Sequence, residues 1–125
     1  MPLTISIGSG KGGTGKTMIM ANLVLLLAKT GKRVCLVDLD LGGPDAHIVF
    51  GHFNPKRTLT DFLTRKVDTI QEVTHTFYSY NGLQFIPGTG DTLQTANMSY
   101  QEKQRLFRGI RTIDTDILLL DVGAG

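Results

Sequence analysis

The sequence predicts an α/β fold, a mostly parallel sheet with helices on both faces. Three observations carry that expectation. The runs at Arg33–Asp38 and Asp116–Asp121 are almost uninterruptedly apolar before they close, as strands buried on both faces require, and Leu3–Ile7 is a shorter run with Leu3, Ile5 and Ile7 apolar. They are separated by stretches of helical period, the alternation that builds parallel sheets. A glycine-rich loop joins the first run directly to the first helix. An antiparallel α+β domain would show half-polar strands, and only the Tyr78–Ile86 region does.

In chain order, Leu3–Ile7 reads as a strand ended by Gly8, and Lys16–Lys29 as a helix closed by Gly31. That helix is apolar nearly all round (Ile19, Leu23, Val24, Leu25, Leu26, Leu27) and is expected to be buried on most faces. Arg33–Asp38 is a second buried strand, followed by a loop rich in Gly, Pro and Asp from Asp40 to Asp45. Thr58 with Asp61 forms a capping-box start for a short helix through Phe62 and Leu63, and a second short helix is expected over Asp68–Val73. Tyr78–Tyr80 and Leu83–Ile86 flank Asn81-Gly82, a hairpin signal. Ser99 with Glu102 opens a further helix, predicted to turn Lys103, Leu106, Phe107, Ile110 and Ile113 inward. The last strand closes at Asp121, four residues before the end. Natural domains seldom stop on such a loop, so the expectation is one domain over residues 1–125, the N-terminal part of a longer protein.

A length of 125 residues suits one domain. The net charge of +2 is too small to indicate nucleic acid or an anionic membrane. A single cysteine, Cys35, excludes an internal disulfide framework and fits a reducing cytosol. The N-terminus lacks the charged and apolar regions of a signal peptide, and Met18–Ala28 falls short of the ~20 apolar residues that span a bilayer.

The chemistry concentrates between the first strand and the first helix. Gly10-Lys11-Gly12-Gly13-Thr14-Gly15-Lys16-Thr17 satisfies G-x-x-x-x-G-K-[ST] in the required strand–loop–helix context. Glycines let the backbone wrap a polyphosphate with several N–H groups pointing inward. The following helix adds roughly +0.5 charge at its N-terminus. Lys16 spans the β- and γ-phosphates, and the Thr17 hydroxyl is a hard ligand for Mg²⁺. The competing reading, a glycine turn with incidental Lys and Thr, does not account for that placement. Asp121 closes an apolar strand in the manner of a Walker B acid, holding Mg²⁺ through water. Asp38 and Asp40 stand at and just beyond the end of the second strand, where α/β sheets bind ligands. Aspartates there also serve as caps and turn formers.

The loop K-G-G-x-G-K-[TS] resembles that of the MinD/ParA family of deviant Walker A P-loop ATPases. Asp121-Val122-Gly123-Ala124-Gly125 is similar to the D-x-G-A-G of its FlhG-type members. The resemblance covers the whole chain but only the N-terminal half of a member of ordinary length. It implies a P-loop NTPase fold, ATP and Mg²⁺ as ligands, and slow hydrolysis. It implies that Lys11 crosses a dimer interface to the partner's nucleotide, that Asp38 supports Mg²⁺ through water, and that Asp40 positions the hydrolytic water. Nucleotide contacts then fall to Gly10, Lys11, Gly12, Gly13, Thr14, Gly15, Lys16, Thr17 and Met18. Met18 departs from the second threonine many members place against the α-phosphate. The implied partners are a second copy bound with ATP and a regulatory protein. The implied location is cytoplasmic, with membrane contact left to a C-terminal region outside these residues. Two other readings compete. An Mrp-type iron–sulfur carrier needs a C-x-x-C beyond Gly125, and a nucleotide-binding module without turnover would follow from truncation.

Other features carry less. His47, His52 and His75 share no metal-ligand spacing with each other or with Cys35, which reads as an inert core residue. Arg105, Arg108 and Arg111 read as a solvated helix face more readily than as an anion site. Gly88–Asp91 borders either the nucleotide or the dimer interface, and the sequence leaves that open.

Overall fold

A computed structural model describes residues 3–7, 14–39, 57–78, 82–88 and 98–121, with the side chains of Ile7 and of residues 14–21 outside that description. Gly10–Gly13, Asp40, the loop to Gly51, His47, His52, Asn81, residues 89–91 and 122–125 also lie outside the described residues.

The elements are β1 (Leu3–Ile7), α1 (Thr14–Lys29), β2 (Val34–Asp38), α2 (Leu59–Leu63), a 3₁₀ turn (Ile70–Val73), β3 (His75–Phe77), β4 (Leu83–Ile86), α3 (Tyr100–Arg111) and β5 (Ile117–Asp121). The five strands form one sheet in the order β1-β5-β2-β4-β3. All pairs are parallel except the β3–β4 hairpin at one edge. Period-2 alternation splits the core into two layers. Val34, Leu36, Ile117, Leu119, Leu83 and Phe85 face Val24 of α1. Cys35, Val37, Leu118 and Ile86 face α2, the 3₁₀ turn and α3. The predicted three-layer α/β/α arrangement is therefore present.

The register of the central strands is pinned at their N-terminal ends. Arg33 donates its backbone N–H to Asp116 Oδ2 at 2.9 Å, and its guanidinium reaches the same carboxylate. The Arg33 carbonyl accepts from the N–H groups of Asp116 and Ile117 and from the Thr115 hydroxyl at 2.9 Å. Asp116 in turn accepts the Leu3 N–H through its carbonyl at 3.0 Å. One polar knot thus ties β1, β2 and β5 together where they begin.

The outer layer of α2 and α3 is held by a close approach. A Cβ on Gly109 would lie 2.7 Å from the Phe62 ring and 3.3 Å from Ile70 Cβ. Arg105 stacks over the other side of Phe62, 4.3 Å from the ring centroid. Its guanidinium donates to the carbonyls of Phe62 (2.6 Å) and Val67 (2.9 Å). Arg105 is therefore a clamp on the end of α2, not part of a solvated face.

Several expectations shift. α1 begins at Thr14, two residues before the anticipated Lys16, and ends at Lys29 with Gly31 at φ +81°. It is not covered on most faces, since Leu26 is 62% exposed and Leu25 is also exposed. The expected Asp68–Val73 helix shortens to the 3₁₀ turn, with Glu72 accepting from the N–H groups of Asp68 and Thr69. The hairpin's first strand lies three residues earlier than predicted. His75–Phe77 pair with Leu83–Phe85, Phe77 and Phe85 stack 6.2 Å apart, and Tyr78 is left outside. On α3 the Ser99–Glu102 capping box forms as predicted. Leu106 and Ile113 turn inward, while Phe107 and Lys103 are exposed. Gly109, which no apolar-period reading scores, takes the inner position instead.

Gly109→Ala should cost about 1 kcal/mol or more, as overpacking of ~1–3 kcal/mol outweighs a helix-propensity gain of at most ~1 kcal/mol, read as a lower denaturant midpoint. The carboxyls of Asp116 and Glu72 are held below the usual carboxylate range, Asp116 first by the Arg33 N–H and Glu72 first by the Thr69 N–H. Their contribution is present above the unfolded-state carboxylate range and is lost as pH falls below it. Melting temperature should drop on acidification, and Asp116→Asn should make that drop shallower.

Candidate functional site

Five residues downstream of the knot, the same register brings two carboxylates side by side. Asp38 and Asp121 are paired Cα partners at the C-terminal ends of β2 and β5, and Ile7 at the end of β1 pairs with Asp121 on its other side. Adjacent strands lie about 5 Å apart, so Ile7, Asp121 and Asp38 form a short row along the sheet's edge. The Leu39 N–H donates to the Asp121 carbonyl at 2.8 Å, carrying the pairing one residue past β2.

Alternation decides which way this row faces. Val34 and Leu36, like Ile117 and Leu119, belong to the layer under α1, so Asp38 and Asp121 continue that face. Asp38 is buried at 5% exposure and Asp121 is half-buried. Placing a carboxylate in such a position costs several kcal/mol of hydration unless hydrogen bonds or a cation compensate.

The chain leaving Ile7 must start at this row and reach Thr14, where α1 begins. The first turn of α1 contains Thr14, Gly15, Lys16 and Thr17 and no acidic residue. Its partial positive charge is therefore not cancelled by its own side chains, which leaves it available to an anion. β5 also lies between β1, whose following helix covers one face, and β2 and β4, whose following elements cover the other. Such a reversal point is where open α/β sheets bind ligands. The described geometry suits a polyphosphate at the helix start with a cation supported by carboxylates.

Of the sequence candidates, the structure brings together Asp38 and Asp121, and it describes the backbone of Thr14–Met18 as the first part of α1. Gly10–Gly13, Lys11 and Asp40 lie outside the described residues, as do the side chains of Lys16, Thr17 and Met18. Among the described residues no cluster of three His, Cys, Asp or Glu side chains gathers to hold a metal. Burial pushes the Cys35 thiol up to about 12, as expected of an inert core residue. His75 Nε2 lies 3.0 Å from the Arg57 carbonyl, a local structural contact. No described helix is long and apolar enough to cross a membrane. What residue reasoning did not find is the adjacency of Asp38 and Asp121. The signal was two strands of equal length, each closed by an acid.

Comparison with known proteins bears on this arrangement. Residues 5–120 match the family described as the CobQ/CobB/MinD/ParA nucleotide binding domain. An uncharacterized ATP-binding protein of Methanocaldococcus jannaschii is 35% identical over 126 residues, covering 100% of this chain and 46% of that protein. The antiactivator FleN of Pseudomonas aeruginosa, of the FlhG type, is 32% identical over 123 residues, covering 97% and 42%. Among solved structures, the septum site-determining protein MinD of Pyrococcus horikoshii, complexed with Mg-ADP, superposes with a TM-score of 0.76 at 30% identity, covering 100% of this chain and 50% of that one. The chain thus spans about half the length of the relatives it matches.

Proposed function

The chain belongs to the CobQ/CobB/MinD/ParA nucleotide-binding family, and from that premise we propose that it forms the phosphate-binding half of an ATP-driven, dimerising switch of the FlhG type. The observation that carries the reading is the in-register Asp38–Asp121 pair on the sheet face that α1 covers, together with a first turn of α1 that holds no acid. ATP and Mg²⁺ are the ligands this reading requires, and the donor chemistry fits both. Backbone N–H groups of Gly10–Gly15 and the α1 N-terminus offer donors to phosphate oxygens. Lys16 supplies a charge toward the β- and γ-phosphates, and the Thr17 hydroxyl a direct oxygen ligand for Mg²⁺. Asp38 and Asp121 would support the ion through water. Bound Mg²⁺ would supply neutralisation of charge between the β- and γ-phosphates.

Hydrolysis on this reading rests on positioning and electrostatics. Asp40 orients the attacking water. Lys16 and Lys11 stabilise the charge spreading over the transferred group, Lys11 acting on the nucleotide of the facing subunit. Chemistry then times the lifetime of the dimer, and with it the binding of a regulatory protein partner. The likeness to FleN, an antiactivator, favours a regulatory role over a metabolic one.

Three results check this on the full-length protein. Lys16→Ala should abolish the calorimetric signal of ATP with Mg²⁺, and no signal from the unsubstituted protein would refute nucleotide binding altogether. Lys11→Ala should retain monomer binding yet lose ATP-dependent dimerisation by light scattering, and undiminished dimerisation would remove the trans role. Asp121→Asn should leave ATP binding without metal intact while reducing the added thermal stability that Mg²⁺ confers, by about 1–2 kcal/mol for a lost charged hydrogen bond.

A further inference from the structure

On the side of the sheet away from α1, the helix α3 carries an exposed face that no described residue covers. Tyr100, Gln104, Phe107 and Arg111 follow one another at spacings of 4, 3 and 4 residues, which stacks them in a single stripe along a helix. Tyr100 is 74% and Phe107 55% exposed. The helix holds four basic residues against one acid, Glu102, which its capping box occupies. Alongside the stripe, between α3 and the segment from Phe62 to Gln71, lies a recess of about 520 Å³. Arg65, Arg105 and Arg108 line it against one acid, Asp68, together with Gln101 and Gln104. Among the described residues, Arg65, Arg108 and Arg111 form no ion pair.

Arg65 is the telling residue. It stands just past the C-terminus of α2 at φ 65°, the single described non-glycine residue in the left-handed region. The bonds from Arg65 N to the Phe62 carbonyl and from Lys66 N to the Asp61 carbonyl complete a Schellman cap, a position that favours glycine. A side chain kept there at a cost of roughly 1–2 kcal/mol, and lining the recess, indicates use.

We infer that the α3 stripe and the Arg65–Arg108 recess form a docking surface for an acidic, apolar-anchored segment of a partner protein. Paired aromatics among arginines are the composition of energetic hot spots at protein interfaces. Three arginines against the single Asp68 leave an excess of positive charge, which selects a partner of the opposite sign. The concave recess, rimmed by directional amides, fits an inserted side chain better than it fits the flat surface of a bilayer. This surface lies on the opposite face from Asp38 and Asp121, and its existence does not depend on nucleotide chemistry.

The test is fluorescence anisotropy of a labelled peptide of alternating glutamate and leucine, with a lysine–leucine peptide and phosphatidylglycerol vesicles as comparison arms. The acidic peptide should bind and the basic one should not. Phe107→Ser and the double variant Arg108→Glu/Arg111→Glu should each weaken binding about tenfold or more with melting temperature kept. Arg65→Gly should melt no lower than the unsubstituted chain and still bind several-fold more weakly, which a purely structural Arg65 would not do. Absence of acidic-peptide binding, equal binding by all variants, or capture of anionic vesicles by these residues in place of the peptide would each overturn the inference.

Discussion

The polar knot of Arg33, Thr115 and Asp116 sets the register on which the rest of the molecule depends. Buried parallel strands such as Val34–Val37 and Ile117–Leu120 are apolar on both faces, so hydrophobic patterning alone tolerates a slip along the strand. Directional bonds do not. The Arg33 carbonyl accepting from the Thr115 hydroxyl and two N–H groups, with the Asp116 carboxylate returning to the Arg33 N–H, fits one alignment. Counting five residues forward on each strand from Arg33 and from Asp116 arrives at Asp38 and Asp121, paired at the far end. A shift of one residue on β5 would send its acid to the α3 face and put Leu120 beside Asp38. Bonds at one end of the sheet thus place the two carboxylates at the other.

The two faces of that sheet do different work. Under α1 the packing is mainly aliphatic, with Phe85 and Phe77 toward the hairpin edge, and the same strands continue into the row of Ile7, Asp121 and Asp38. Under α2 and α3 the layer depends on one missing side chain. Gly109 lets Phe62 seat against the helix, and Arg105 then covers the outer side of the ring while satisfying the carbonyls that the short α2 leaves over. A five-residue helix has little internal hydrogen bonding of its own, so borrowed donors of this kind hold its end. The same close packing fixes where the outer face of α3, with Tyr100 and Phe107, is presented.

Much was legible from residues in order. Glycine spacing with Lys16 and Thr17 defines a phosphate loop without reference to the fold, because the chemistry is local to eight consecutive residues. The capping box at Ser99, the stop at Gly31 and the apolar strands were equally local, and each stands where expected. The misplacements share a cause. Asn81-Gly82 announced a tight turn, yet the stack of Phe77 on Phe85 rewards an earlier strand and a longer connection. Phe107 was assigned inward on the helical period with Leu106, Ile110 and Ile113, but it is exposed, and Gly109 takes an inner position against Phe62.

The fold class, the strand ends that carry acids and the loop with the composition of a phosphate loop could be read from residue order alone, since all three follow from periodicity and from short motifs. Only the tertiary structure decided that Asp38 and Asp121 are neighbours, that Arg105 is a clamp while Arg65 and Arg108 face a recess, and that Leu25 and Leu26 stay uncovered by the described residues. Burial and adjacency are relations between segments far apart in the chain. No local pattern states them until strand order and register are fixed.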